Sequence, residues 1–164
     1  MNESLFPSLR KAAPYDLNSV VSLYRAAIGR PGCTWNDLYP AREDAENDLS
    51  HGCLYVGEIG NETMASVSVV PENELDGFSF FDDTENPREI ARITVSEKYA
   101  GKGFAAYLLR ILFCQLKKES VSSVHLLTAK GNPAALKTYE NLGFTRKGEV
   151  SEYGNEYYAE ELIL

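Results

Sequence analysis

The sequence predicts a mixed α+β fold, one sheet with helices on its faces. Three observations lead there. Strand and helix signals run in the order β-α-α-β-β-β-α-β-α-β-β. Strands therefore outnumber crossover helices, which excludes a doubly wound sheet. Gly60-Asn61 and Gly154-Asn155 each sit between two β-rich runs, as hairpins require. Finally, the 164 residues hold no repeat, linker or low-complexity tract, which fits a single domain spanning residues 1–164.

The elements follow in chain order. Ser8 to Ala13 reads as a short strand that Pro14 ends. Asp16 is placed to cap a helix to about Ile28, with Leu17, Val20, Val21, Tyr24 and Ile28 on one face. The run Gly29 to Gly32 breaks it, and Pro40 opens a second, polar helix to about Leu49. Leu54 to Ile59 and Met64 to Val70 are strands. Glu72 to Pro87 is an acidic loop that contains Phe78, Phe80 and Phe81. Ile90 to Val95 is a strand, Phe104 to Lys118 a long amphipathic helix, and Val124 to Thr128 a buried strand. Pro133 to Leu142 is a helix, and two strands follow from Phe144 to Ile163.

Composition narrows the function. With 44% hydrophobic and 24% charged residues, the chain is neither disordered nor fibrous. No apolar run approaches the ~18 residues of a membrane span, and Met1 to Arg10 lacks a signal-peptide pattern. Cys33, Cys53 and Cys114 show no CxxC spacing and read as free thiols, so a cytoplasmic location is expected. His51 and His125 lie too far apart for a zinc motif, so no metal is expected and both read as packing or surface residues. A net charge of −8 argues against nucleic acid as a partner. That charge is uneven. Residues 1–91 carry 6 Lys/Arg against 16 Asp/Glu, and residues 92–164 carry 10 against 8. Either the acids form a solvated surface, or the two halves face ligands of opposite sign.

The most informative stretch runs from Val95 to Ala106. A strand ends, Gly101-Lys102-Gly103 follows, and a long helix begins. A helix N-terminus leaves N–H groups unpaired and carries partial positive charge, and glycines let backbone approach a phosphate. The competing reading is a plain strand–turn–helix connection. Gly101-x-Gly103-x-x-Ala106 also fits the dinucleotide fingerprint formally. Its context fails, because Ser96 to Ala100 separate the glycines from the strand, and Glu119 precedes the next strand instead of ending it. No GxxxxGK[ST] run exists.

A second patch runs from Asn132 to Phe144. Asn132 is the N-cap, Pro133 opens the helix and Gly143 closes it. Ala135 and Tyr139, four apart, share a face. Alone, this is also consistent with a helix packed on a sheet.

Together the two patches resemble the GNAT superfamily of N-acetyltransferases. The cofactor motif is met by Val95, Gly101, Gly103 and Ala105, and the second motif by Asn132, Ala135, Tyr139, Gly143 and Phe144. Leu9 to Val21 is similar to the family's first strand and helix, and Cys33 to Pro40 to a segment of one bacterial branch. Ala100 departs from the pattern, since the family places Gln or Arg there to help grip the pyrophosphate.

The resemblance implies the acyl-CoA N-acyltransferase fold, with a mostly antiparallel sheet. It implies acetyl-CoA as donor and a primary amine, free or in a peptide, as acceptor. A protein N-terminal or lysine acetyltransferase and a catalytically idle acyl-CoA-binding module are the alternatives. A homodimer through the last two strands is compatible with it. The cofactor falls to Ile93, Val95, Ala100, Gly101, Lys102, Gly103, Phe104, Ala105, Ala106, Asn132, Ala135 and Tyr139, with Lys98 and Lys102 near the phosphates. Tyr139 is then the general acid for the departing thiolate. Glu89 is the candidate base. Period-two alternation puts it on one face with Ala91, Ile93 and Val95 unless a bulge intervenes, with Arg92 opposite. Trp35, Tyr39, Phe80 and Tyr153 are the acceptor-side candidates, joined by Phe78, Phe81, Tyr157 and Tyr158. Packing explains these aromatics equally well.

Overall fold

The computed structural model describes residues 6–71, 78–82 and 84–164. Its helices are α1 (Leu17–Ala27), α2 (Arg42–Ser50), α3 (Phe104–Lys118) and α4 (Pro133–Leu142). Its strands are β1 (Ser8–Lys11), β2 (Leu54–Ile59), β3 (Glu62–Val70), β4 (Arg88–Val95), β5 (Ser123–Ala129), β6 (Thr145–Glu152) and β7 (Asn155–Ile163). The strands form one sheet in the order β1-β2-β3-β4-β5-β7-β6. The β4–β5 pair is parallel, and the other five pairs are antiparallel.

Each face of the sheet is covered for a reason visible in the sequence. The stripe Leu108, Leu109, Leu112, Phe113 and Leu116 recurs at helical spacing and is buried along α3. Leu109, Leu112, Phe113 and Leu116 pack, with Tyr139 of α4, against Tyr55, Val67, Ile90, Val124 and Leu126 of the sheet, and Leu108 packs with Met64 and Ala65. Burying a side chain such as Leu112 contributes ~1.5–3 kcal/mol. On the opposite face, Val20 and Tyr24 of α1 and Ala45 of α2 meet Leu54 and Val56. Phe80 and Phe81 cover that face farther along, over Gly148 and His125. Among the described residues no helix is long and apolar enough to cross a membrane.

Four expectations change. Asp16 does not cap α1 with its side chain. Its carboxylate instead accepts from both Nη atoms of Arg10, at 2.7 and 2.9 Å, and from the Ala13 amide. The second helix starts at Arg42 rather than Pro40, with the Asp44 carboxylate accepting from the Ala41 amide. The last hairpin turns at Tyr153-Gly154, one residue early, because both have positive φ (51° and 78°), the requirement of a tight two-residue hairpin. Finally, β4 is bulged. Its partners step from Ser66 to Ser68 while it steps from Thr94 to Ala91, and Arg92 sits at φ 49°. Ile90 and Ile93, three apart, consequently both join the cluster under α3.

Candidate active site

The site is built where two parallel strands part. The register pairs between β4 and β5 are Arg88–Val124 and Glu89–His125. Beyond them β5 stays paired to β7, and β4 to β3. Ser96 donates to Met64 O across the β3–β4 pair. The alternation of an antiparallel ladder then turns the N–H and C=O of neighbouring Val95 toward the gap. Crevices at the carboxyl ends of parallel strands are where such sheets bind ligands.

Both strands run from the gap into helix N-termini. Before α3, Gly101 and Gly103 have φ of 72° and 78°. An added Cβ would meet nothing within 4 Å at either position, so it is the left-handed backbone that calls for glycine there. Gly103 is the N-cap of α3, without a side-chain cap, and no acid stands in the first turn. The first-turn amides are therefore left for an external acceptor. Ala100, Gly101, Lys102 and Gly103 are exposed, and Ala105 and Ala106 half-buried. Phe104 packs its ring toward Met64 and Leu108, leaving its backbone to the loop. Lys98 is spoken for, since its ammonium lies 2.8 Å from Glu62. Lys102 lies over the Tyr99 ring.

Across the gap, Asn132 caps α4 through its side-chain oxygen, 3.2 Å from the Ala135 amide. The segment after α1 closes on it. A Cβ on Gly32 would fall 2.8 Å from Asn132, and Arg30 donates to Val95 O. Ala135 packs against the core beside Tyr139. Tyr139 is 7% exposed and edge-on to Phe144 at 5.5 Å. Burial, reinforced by the charge of Glu160, pushes its phenol above the usual 10.0, so it is protonated at neutral pH.

The bulge sends Glu89 to the face opposite Ile93 and Val95, a correction to the alternation read from sequence. Arg92 shares that face with it. Its Nε and Nη2 donate to the Asp48 carboxylate at 2.9 and 2.8 Å, and Nη1 donates to the Tyr39 hydroxyl at 3.1 Å. Ser68 completes the pair from β3, 2.5 Å from Asp48. Trp35 packs edge-on to Tyr24 at 5.6 Å, while Tyr39 is 45% exposed. Phe80 stacks with Phe78 over Gly148. Tyr157 donates to Thr34, and Tyr158 lies beneath Arg146. Tyr153 is not brought to this group, being 90% exposed at the last hairpin. Of the acidic loop, Glu72, Glu74, Asp76 and Asp83 lie outside the described residues.

Sequence reasoning missed three contacts here. They are Asp48 on Arg92, Arg30 on Val95, and the buried pair of His125 with Glu161, 2.7 Å apart. None has a spacing signature, because each joins residues at least 36 apart in the chain.

Residues 20–144 match the model of the acetyltransferase (GNAT) family. The chain is similar to L-methionine sulfoximine/L-methionine sulfone acetyltransferase of Pseudomonas paraeruginosa, 23% identical over 92% of this chain and 87% of that one. It is 25% identical to N-acetyltransferase family 8 member 2 of Rattus norvegicus over 60% of this chain, and spans 41% of that protein's length. A GNAT-family acetyltransferase structure from Streptococcus agalactiae shares the fold, with a TM-score of 0.82 at 22% identity over 96% of this chain and 95% of that one. So does an acetyltransferase from Salmonella typhimurium solved with its cofactor acetyl-CoA, with a TM-score of 0.76 at 18% identity over 96% and 93%.

Proposed function

The chain belongs to the acetyltransferase (GNAT) family, and from that premise we propose that its 164 residues form one acetyl-CoA-dependent N-acetyltransferase domain acting on a primary amine by direct transfer. One observation carries the proposal. Strand β4 continues to Val95 beyond its last pair with β5 and leads through the Gly101–Gly103 loop into the uncapped N-terminus of α3. The residues fit the donor. The first-turn amides after Gly101 and Gly103 match a diphosphate, and no acidic side chain opposes it there.

When bound, acetyl-CoA supplies a thioester carbonyl that a neutral amine attacks with departure of a thiolate. The amides of Gly101 to Ala106 hold the pyrophosphate. Their number offsets Ala100, which brings no side-chain grip and, contrary to the expectation of a free amide, already donates its backbone N–H to Glu97 O. Asn132 meets the pantetheine arm, and Ile93 and Val95 line it. The Val95 amide polarises the carbonyl as oxyanion-hole donors do. Tyr139 gives its proton to the thiolate, a role that its buried, protonated phenol suits. Glu89 takes the amine's proton on the acceptor side, where its charge acts on Tyr39.

A small-molecule amine is the acceptor class we favour over a peptide. The likeness spanning 92% of this chain to an enzyme named for free amino-acid analogues supports it. Three free cysteines accord with a reducing, cytoplasmic setting. The test is a thiol-release screen with acetyl-CoA against free amines and peptides. Release with small amines supports the reading, release with peptides alone moves the acceptor to protein, and release with neither contradicts it.

A further inference from the structure

One row of the sheet carries three titratable residues on three adjacent strands. Glu89 of β4 is in register with His125 of β5, and His125 with Glu161 of β7. Residues in such a row present their side chains to one face, here the face away from α3. His125 and Glu161 are both 3% exposed, with Nε2 2.7 Å from Oε2. Phe81 stacks flat on the imidazole, centroids 3.9 Å apart. Ser123 Oγ, itself bonded to Thr84, lies 3.4 Å from the same Nε2. Glu161 also accepts from the Asp82 amide and lies 3.7 Å from the Lys147 ammonium, which in turn pairs with the Asp82 carboxylate.

This surrounding decides the tautomer. A carboxylate accepts and cannot donate, so Nε2 carries the ring hydrogen. Nδ1 then presents a bare lone pair on the other side of the ring, and it is buried without a hydrogen-bond partner. Buried acceptors are rarely left so. A carboxylate that fixes one ring nitrogen and leaves the other bare is the arrangement that prepares an imidazole to take a proton.

The proposed reaction supplies that proton. An alkylammonium acceptor must lose one proton before it attacks and a second before the amide is complete. Glu89 holds one. We propose that His125 takes the other, relayed through Glu89, with Glu161 stabilising the imidazolium. The balance is closed. The first N–H bond of the ammonium breaks as an O–H bond forms on Glu89. That O–H bond breaks as Nδ1–H forms, returning Glu89 to carboxylate. Glu89 then takes the second proton as the new C–N bond is completed, and Tyr139 protonates the thiolate. Both acceptor protons leave to solvent afterwards and the Tyr139 phenolate takes one back, so each turnover releases a single proton net. The assignment rests on the acetyl-transfer reading and adds His125 and Glu161 to it as positioning and relay residues.

The test compares wild type with His125→Gln, which keeps a donor for Glu161 and cannot titrate. Melting and an acetyl-CoA-induced thermal shift establish that the variant folds and binds. kcat/KM for thiol release is then followed from acid to alkaline pH with the best amine of the screen. We expect at least a tenfold loss at neutral pH, absence of the wild type's acid-side inflection, and recovery at alkaline pH, where the amine is neutral by itself. Nitrogen NMR of the wild-type imidazole should show the Nε2–H tautomer, a readout that needs neither turnover nor the variant's folding. A rate and pH profile in the variant within twofold of wild type, or a neutral ring protonated at Nδ1, overturns the relay. A wild type that releases no thiol with any amine overturns the acetyl-transfer reading and the relay with it.

Discussion

Arg30 donates from Nη1 to the carbonyl oxygen of Val95 at 2.8 Å, across 65 residues of sequence. That bond ties the segment after α1 to the strand edge facing the β4–β5 gap. Gly32, two residues on, packs on Asn132 at the other side. A charge-assisted bond of this kind contributes ~1.5–3 kcal/mol. Arg30→Met should therefore lower stability by roughly 1–2 kcal/mol and speed hydrogen exchange of amides 29–34. Unchanged exchange there would show that the bond does not hold the segment.

Asp48 is the more consequential anchor. Its carboxylate and the Arg92 guanidinium are 4% and 14% exposed, and Ser68 adds a third bond. Removing one partner leaves a buried charge uncompensated, which costs about 3–5 kcal/mol. Asp48→Ala should show that loss in urea unfolding. A loss below about 1 kcal/mol would mean that solvent reaches Arg92 more freely than its burial indicates.

Acid should weaken the fold through Asp16. The Arg10 guanidinium, hydrogen-bonded to it, and the Ala13 amide hold its carboxyl below the usual 3.8, against the opposing effect of burial. A folded pKa below the unfolded one means that the contribution is fully present above the unfolded value. It is lost as pH falls through the folded one. Stability measured from pH 6 downward should fall more steeply in wild type than in Asp16→Asn. Equal slopes would remove Asp16 from the acid transition.

Tyr139→Phe keeps the ring against Phe144 and deletes the phenolic proton. General acid catalysis contributes ~10²–10⁴-fold, so kcat should fall by about 10² or more with the acetyl-CoA thermal shift retained. Full turnover would assign the thiolate's proton to another donor.

Much of the fold was legible because local rules set it. Gly143, Pro133 and Asn132 bracket α4, and the stripe from Leu108 to Leu116 fixes the buried side of α3. The glycines at 101 and 103 marked the loop between a strand and a long helix. What was not legible is long-range. The bulge at Arg92 reverses the alternation that placed Glu89, and nothing between residues 88 and 95 signals it. Asp16 has the residue type and position of an N-cap, yet Arg10, brought alongside by the strand, takes its oxygens. His125 read as a packing residue because Glu161, its partner, lies 36 positions away.

Acetyl-CoA binding tests the central claim most directly. A ligand that binds the folded chain at 100 times its Kd stabilises it by ~2.7 kcal/mol. For a domain of this size that predicts a rise in Tm of roughly 5–10 °C. We expect that rise with acetyl-CoA, reduced in Gly103→Val, whose Cβ opposes the left-handed backbone that opens α3. A wild-type Tm unmoved by millimolar acetyl-CoA would contradict the assignment of the β4–β5 gap as the cofactor site.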